Sequence, residues 1–191
     1  MVASRICHDL ISPMGAINNG LELLGMDKGD ARPELDLISQ SIQSAMTKLR
    51  FYRIAFGTVG AEQTISLTEI NSVLAAMGQV QKQSYIWNCK TDLTRRQVKL
   101  VFLLIMCLET ALPWGGKISI MGAPQRVELL GQSERLKIDD LLWSGLEKGQ
   151  SGGPATSARI QFALAQYEIA EQRVTLTVAE EPGALRLALE I

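Results

Sequence analysis

The sequence predicts an α+β fold: an N-terminal antiparallel helical hairpin, then an α/β two-layer sandwich. Three observations predict it. Residues 1–57 carry apolar side chains at heptad spacing. After Gly57-Thr58-Val59-Gly60 the pattern changes to helices alternating with strands. The chain closes on two alternating segments around Glu181-Pro182-Gly183, the pattern of a strand hairpin.

The elements follow in order. Ala3, Cys7, Leu10, Met14, Ile17, Leu21 and Leu24 step by four and three, which defines a first helical seam. Leu35, Ile38, Ile42, Ala45, Leu49, Tyr52 and Phe56 define a second. Gly25–Pro33 supplies the break, with glycine ending one helix and Pro33 opening the next. The two seams are expected to face each other. Ile6, Ile11, Leu23, Leu37 and Ile54 lie beside the seams and are left over. Apolar surface beyond a hairpin's own seam predicts a four-helix bundle, and no later segment supplies the second pair. A symmetric homodimer is therefore expected.

Past the linker, Gln63–Leu67 reads as a short strand, and Thr68 with Glu69 opens a helix through Met77. Tyr85–Cys89 reads as a strand. Leu93 and Thr94 introduce a strongly apolar helix to Ala111, stopped by Pro113, Gly115 and Gly116. Lys117–Met121 and Arg126–Leu130 read as paired strands. Asp139–Leu146 is a short helix, Gly149–Pro154 a loop and Ala155–Glu171 an amphipathic helix. Arg173–Ala179 and Leu185–Ile191 close the fold. The organisation is thus a dimerising hairpin over 1–57 and an α/β domain over 61–191, with helices on one face of a mostly antiparallel sheet.

Composition narrows the function classes. The 191 residues include 19 Lys plus Arg and 20 Asp plus Glu, a formal net charge of -1. That balance gives no bulk electrostatic case for nucleic acid or anionic lipid. Trp87, Trp114 and Trp143 stand apart without interleaved basic runs, so core or interface roles are expected of them. The longest apolar run, Val98–Leu108, contains Lys99 and is far short of the ~20 residues of a spanning helix. No export segment is evident, and a cytoplasmic protein is expected. The apolar pattern begins directly after Met1, as expected of a chain trimmed at its N-terminus. Cys7, Cys89 and Cys107 are isolated, which fits a reducing compartment. The chain has one histidine. Zinc sites of the HExxH or Cys/His type therefore lack their ligands, and any mechanism that needs a histidine must use His8.

His8 stands one position past the seam residue Cys7 and faces outward. Ser12, Gly15 and Asn19 share its stripe at steps of four, three and four. A solvated helix face normally carries Glu, Lys and Arg. This one is built of small side chains, which suits either a partner's close approach or helix–helix packing. Asp9 can hold one ring nitrogen as N–H and raise the basicity of the other. Ser12 lies one turn on and can hydrogen-bond there. Pro13 removes a helical hydrogen bond in the turn that contains His8. Arg5, one turn earlier, suits either steadying a phosphorylated histidine or meeting an acidic partner, or it is simply a surface cation.

His8-Asp9-Leu10-Ile11-Ser12-Pro13 resembles the phosphoacceptor box of bacterial histidine kinases. The longer string RICHDLISPMGAINNGLELL is similar to the ChpT family of alphaproteobacterial histidine phosphotransferases, and the resemblance covers most of the chain. It implies a C-terminal domain shaped like a kinase ATP-binding domain. Val98–Ala111 and the following Leu112–Gly116 resemble the segment that carries the kinase asparagine box. Here Met106, Cys107, Leu108 and Glu109 stand there, and no Asn occurs between Cys89 and Ile191. The DxGxG turn is absent, and Ser151-Gly152-Gly153-Pro154 is a weak phosphate signal, more simply a loop. Glu109 alone suits a capped or solvated carboxylate better than a metal ligand. The resemblance thus implies a retained fold without nucleotide chemistry, serving as a second docking surface.

What the resemblance implies overall is a homodimeric phosphotransferase. A phosphoaspartate on the receiver domain of a hybrid histidine kinase gives its phosphoryl group to His8. His8, with Asp9, passes it to response-regulator receivers docked over Arg5, Ser12, Gly15 and Asn19. No cofactor or metal is expected on this chain; Mg²⁺ belongs to the receiver. Two rivals are a divergent sensor histidine kinase, which the missing asparagine opposes, and a non-catalytic receiver-binding adaptor, which His8 beside Asp9 opposes. The family usually has Thr or Asn where Ser12 stands, so phosphatase activity is not carried over.

Overall fold

The computed structural model describes residues 1–26, 32–59, 64–89, 93–123, 125–150 and 156–191. Two 25-residue helices, α1 (Val2–Met26) and α2 (Arg32–Phe56), form the hairpin. Then come α3 (Leu67–Val80), β1 (Gln83–Asn88), α4 (Arg95–Ala111), β2 (Gly116–Ala123) and β3 (Arg126–Gln132). The chain finishes with α5 (Asp140–Lys148), a 3₁₀ turn (Ser157–Arg159), α6 (Ile160–Gln172), β4 (Thr175–Glu181) and β5 (Ala184–Glu190). The strands make one five-stranded sheet in the order β1-β2-β3-β5-β4. β1 runs parallel to β2, with α4 as the crossover, and the other pairings are antiparallel. The expected α+β sandwich is what forms.

α4 is the centre of the core. Its start is fixed by a capping box, in which Thr94 accepts from the Gln97 N–H and Gln97 accepts from the Thr94 N–H. From Leu100 to Leu108 every side chain is at most 2% exposed. A helix apolar all round must be covered on all sides. Ile118 and Ile120 of β2, Val127 and Leu129 of β3, and Leu185, Leu187 and Leu189 of β5 point into the same core at alternate positions. The other sheet face is polar, where Arg186 pairs with Glu181 and Glu128, and Arg126 with Glu128 and Glu190. That face needs no second helical layer.

The hairpin does not have a core of its own. Phe51, Ile54 and Ala55 of α2 are fully buried in the same cluster as α4, and Phe51 packs on Phe102 with ring centroids 4.9 Å apart. Arg95 of α4 donates to the Ile54 and Arg53 carbonyls at the end of α2. The hairpin that carries His8 is therefore packed on the C-terminal domain.

Three expectations are corrected. Thr64–Ser66 form no strand; Ser66 instead caps α3 by accepting from the Glu69 N–H, so the helix starts at Leu67 and runs to Val80. The helix expected from Ala155 begins as the 3₁₀ turn at Ser157 and becomes α-helical at Ile160. Met14, Leu21, Leu35, Ile42 and Leu49, read as the hairpin's internal seam, are 43–59% exposed. Gly20 is the physical reason. A Cβ there would stand 2.6 Å from Ile38 Cγ1, so glycine lets the helices touch along Asp9, Pro13 and Gly20 against Ile38, Lys48 and Tyr52. Met14, Leu21, Leu35, Ile42 and Leu49 then point away from the hairpin, while Ile38 and Tyr52 of the second seam stay on the contact line. Of the three tryptophans, Trp143 is buried in the core, Trp87 is half-buried against it, and Trp114 lies exposed beneath the Arg135 guanidinium at 4.6 Å. Residues 27–31 of the expected helix break, Gly60 of the expected linker, Gln63 of the expected strand and Ser151–Pro154 fall outside the described residues.

Candidate functional site

His8 sits in the second turn of α1 with its side chain 82% exposed. Its Nδ1 lies 3.0 Å from Asp9 Oδ1. With Nδ1 protonated toward that carboxylate, Nε2 keeps its lone pair and faces solvent. Asp9 is held from three directions. Arg5 Nε donates to Oδ2 at 2.7 Å, and the Tyr52 hydroxyl of α2 donates to the same oxygen. Lys48 Nζ donates to the Asp9 main-chain carbonyl at 3.1 Å.

That last bond follows from the sequence. Pro13 has no N–H, so the carbonyl four residues earlier, that of Asp9, loses its helical donor. Lys48 occupies the vacated position from the facing helix. The proline thus opens a place for a cross-helix clamp at the residue that orients His8. Pro13 itself is buried.

The electrostatics agree with an ionised Asp9. Burial pushes its carboxyl up, but hydrogen bonds from Tyr52, His8 and Arg5, with the Arg5 charge, bring it below the usual carboxylate value. Burial and the hydrogen bond to Asp9 hold the Tyr52 hydroxyl well above its ordinary value, so it remains a donor. Behind this group lies Glu109, near the end of α4, accepting from the Tyr85 hydroxyl at 2.6 Å. Burial drives Glu109 up to about 7, against the lowering effects of Tyr85 and Arg5 and with a further raise from Asp9. Among the described residues no group of three His, Cys, Asp or Glu is placed to hold a metal ion.

The sequence-predicted residues fall as follows. His8, Ser12, Gly15 and Asn19 are all exposed on one stripe of α1. A Cβ built on Gly15 meets nothing within 4 Å, so among the described residues the small residue serves no packing contact. Arg5 is turned inward: besides Asp9, its Nη1 donates to the Ala158 carbonyl of the 3₁₀ turn at 2.9 Å. Sequence reasoning missed Lys48 and Tyr52 as site residues. Tyr52 was legible only as an apolar heptad position, and Lys48 is one turn before it on the same face. The consequence of Pro13 for the Asp9 carbonyl was the available signal.

The family of the histidine phosphotransferase C-terminal domain matches residues 67–183. The chain belongs to the histidine phosphotransferases. The family match starts at α3 and ends near β5, so it covers the domain on which the His8 hairpin is docked. The protein phosphotransferase ChpT of Brucella abortus (strain 2308) is 37% identical over 123 residues, which is 63% of this chain and 58% of that protein. The solved structure of a bacterial phosphotransferase superposes with a TM-score of 0.84 at 27% identity, over 99% of this chain and 93% of that one. That superposition takes in the hairpin as well as the domain. No helix among the described residues is long and apolar enough to cross a membrane.

Proposed function

We propose that this chain is a homodimeric histidine phosphotransferase that relays a phosphoryl group between receiver-domain aspartates through His8. The observation that carries the reading is the His8–Asp9 pair: an exposed imidazole with Nδ1 engaged and Nε2 free. The Nε2 lone pair attacks the phosphorus of a receiver's aspartyl phosphate. The acyl-phosphate P–O bond breaks, and the receiver's carboxylate leaves. The ring now carries a phosphoryl group on Nε2 and a proton on Nδ1, so it gains positive charge. Asp9, ionised and fixed by Arg5 and Tyr52, neutralises that charge without having to reorganise. The reverse step delivers the group to a second receiver.

Receivers of a hybrid histidine kinase and of response regulators dock over Ser12, Gly15 and Asn19, where a helix can approach without meeting long side chains. The C-terminal domain supplies a second docking surface beside them. Mg²⁺ is the receiver's, and this chain supplies no metal or nucleotide. Glu109, in the segment that resembles the one carrying the kinase asparagine box, is engaged by Tyr85 in a part-buried hydrogen bond. Met14, Leu21, Leu35, Ile42 and Leu49 form the dimer face, large apolar side chains left 43–59% exposed on the two helices. The relay runs in the cytoplasm.

The test is reconstitution with two receivers. One receiver, phosphorylated by a small-molecule donor, is mixed with this chain and a second receiver. Label should reach the second receiver only with the wild-type chain and not with His8→Gln. Direct transfer between receivers, or labelling by ATP alone, would overturn the reading.

A further inference from the structure

Arg5 makes two hydrogen bonds that belong to different parts of the fold. Nε reaches Asp9 Oδ2 one turn along α1, and Nη1 reaches the Ala158 carbonyl in the 3₁₀ turn before α6. The guanidinium is a rigid planar fork, so fixing one end fixes the direction of the other. Its side chain is only 23% exposed, which leaves little of it to present to a partner. Asp9 Oδ2 is occupied by Arg5 and Tyr52, and Oδ1 is the oxygen left for His8. His8 has no hydrogen-bond partner besides Asp9 among the described residues. The tautomer of the imidazole therefore depends on one carboxylate, and that carboxylate is braced from α1 and α2.

We propose that Arg5 is a positioning residue that ties the 3₁₀ turn of the C-terminal domain to the phosphoacceptor pair and keeps Asp9 aimed at His8 Nδ1. It does not touch the phosphoryl group. The C-terminal domain then contributes to transfer by more than docking: the seat of its 3₁₀ turn sets how well His8 is prepared. Glu109 places a second group of that domain within electrostatic reach of Arg5. The inference rests on the phosphotransfer reading, but its spectroscopic arm does not.

Arg5→Ala removes both bonds. Arg5→Lys keeps the charge, but a single ammonium cannot span both acceptors in the same geometry. Because His8 is the only histidine, ¹⁵N-histidine labelling gives one imidazole whose nitrogen shifts report its tautomer. The wild type should show Nδ1–H as the dominant neutral form. Arg5→Ala should move the balance toward Nε2–H and slow phosphoryl transfer by about tenfold or more, the scale of a misaligned reacting group. Receiver affinity should stay within about twofold. Arg5→Lys should fall between the two in both readouts, and it is the variant that decides if Arg5→Ala does not fold. Unchanged imidazole shifts and wild-type transfer in either variant would overturn the proposal. So would lost receiver affinity with unchanged shifts, which would make Arg5 a docking residue. A wild type that accepts no phosphoryl group would defeat the phosphotransfer reading alone, with the tautomer shift still deciding the role of Arg5.

Discussion

Gly15 separates docking from folding more sharply than any other position on α1. It lies inside a helix, where glycine is ~0.8–1.0 kcal/mol less favourable than alanine. A Cβ there meets no atom within 4 Å, so no steric term opposes the gain. Gly15→Ala should therefore raise stability by about 1 kcal/mol, or about 2–4 °C in Tm for a chain of this size. Gly15→Arg recovers most of the same helix propensity, and its side chain extends into solvent. Its fold should match that of the alanine variant. Transfer from a phosphorylated receiver should nevertheless fall at least about tenfold, which is ~1.4 kcal/mol of lost docking or alignment. Gly15→Ala, adding one methyl group, should lose far less. The assay is single-turnover transfer to His8, with thermal denaturation of each variant alongside. A wild-type rate for Gly15→Arg would show that the receiver does not use this stripe. A destabilised Gly15→Ala would show that a second chain packs on Gly15, and that the stripe is a packing face. Gly20 is the internal control: a Cβ there collides with Ile38, so Gly20→Ala should destabilise.

Three further predictions follow from the same geometry. Tyr52→Phe removes the α2 hydroxyl from Asp9, and a hydrogen bond to a charged group is worth about 1.5–3 kcal/mol, so urea denaturation at neutral pH should show a loss of that order. Asp9 lies below its unfolded value, so its contribution is present above the ordinary carboxylate range and lost as pH falls through the folded value; in Tyr52→Phe that acid-side loss should shrink. Glu109 has the opposite sign: its value is raised from 4.5 to about 7, so the fold loses stability as pH rises across that interval, by up to about 3 kcal/mol. Glu109→Gln, which retains an acceptor for Tyr85, should flatten that slope in denaturation curves taken from pH 4 to about 8. Ile42→Asp places an unpaired charge on the proposed dimer face, and light scattering should find the wild type dimeric and the variant monomeric, at a cost of several kcal/mol to association.

The fold was legible where periodicity and caps agree. The heptads of α1 and α2, the apolar stretch Leu100–Leu108 of α4 and the alternation in β2, β4 and β5 each identify their element without tertiary information. What periodicity could not settle was direction. Met14, Leu21, Ile42 and Leu49 are correctly apolar and helical, but the stripe they form turns outward because Gly20 admits Ile38 and moves the contact line. Ile65 between Thr64 and Ser66 mimics a strand; the Ser66 cap decides otherwise, since a side-chain acceptor for the Glu69 N–H favours the helix start. At the site, His8, Asp9 and the open stripe were readable from spacing within one helix. Lys48, Tyr52 and the Arg5–Ala158 bond join segments 39, 43 and 153 residues apart; Pro13 shows within α1 that the Asp9 carbonyl lacks its helical donor, but nothing in α1 names the partners that meet it.

Whether His8 accepts the phosphoryl group is decided by the chemistry of the linkage after one receiver-to-chain transfer with labelled phosphate. One phosphoryl group per chain is expected, stable in alkali and lost in acid, and absent from His8→Gln, whose fold should be intact by circular dichroism. Since the chain has no second histidine, a label that persists in His8→Gln, or one that survives acid, contradicts His8 as the acceptor.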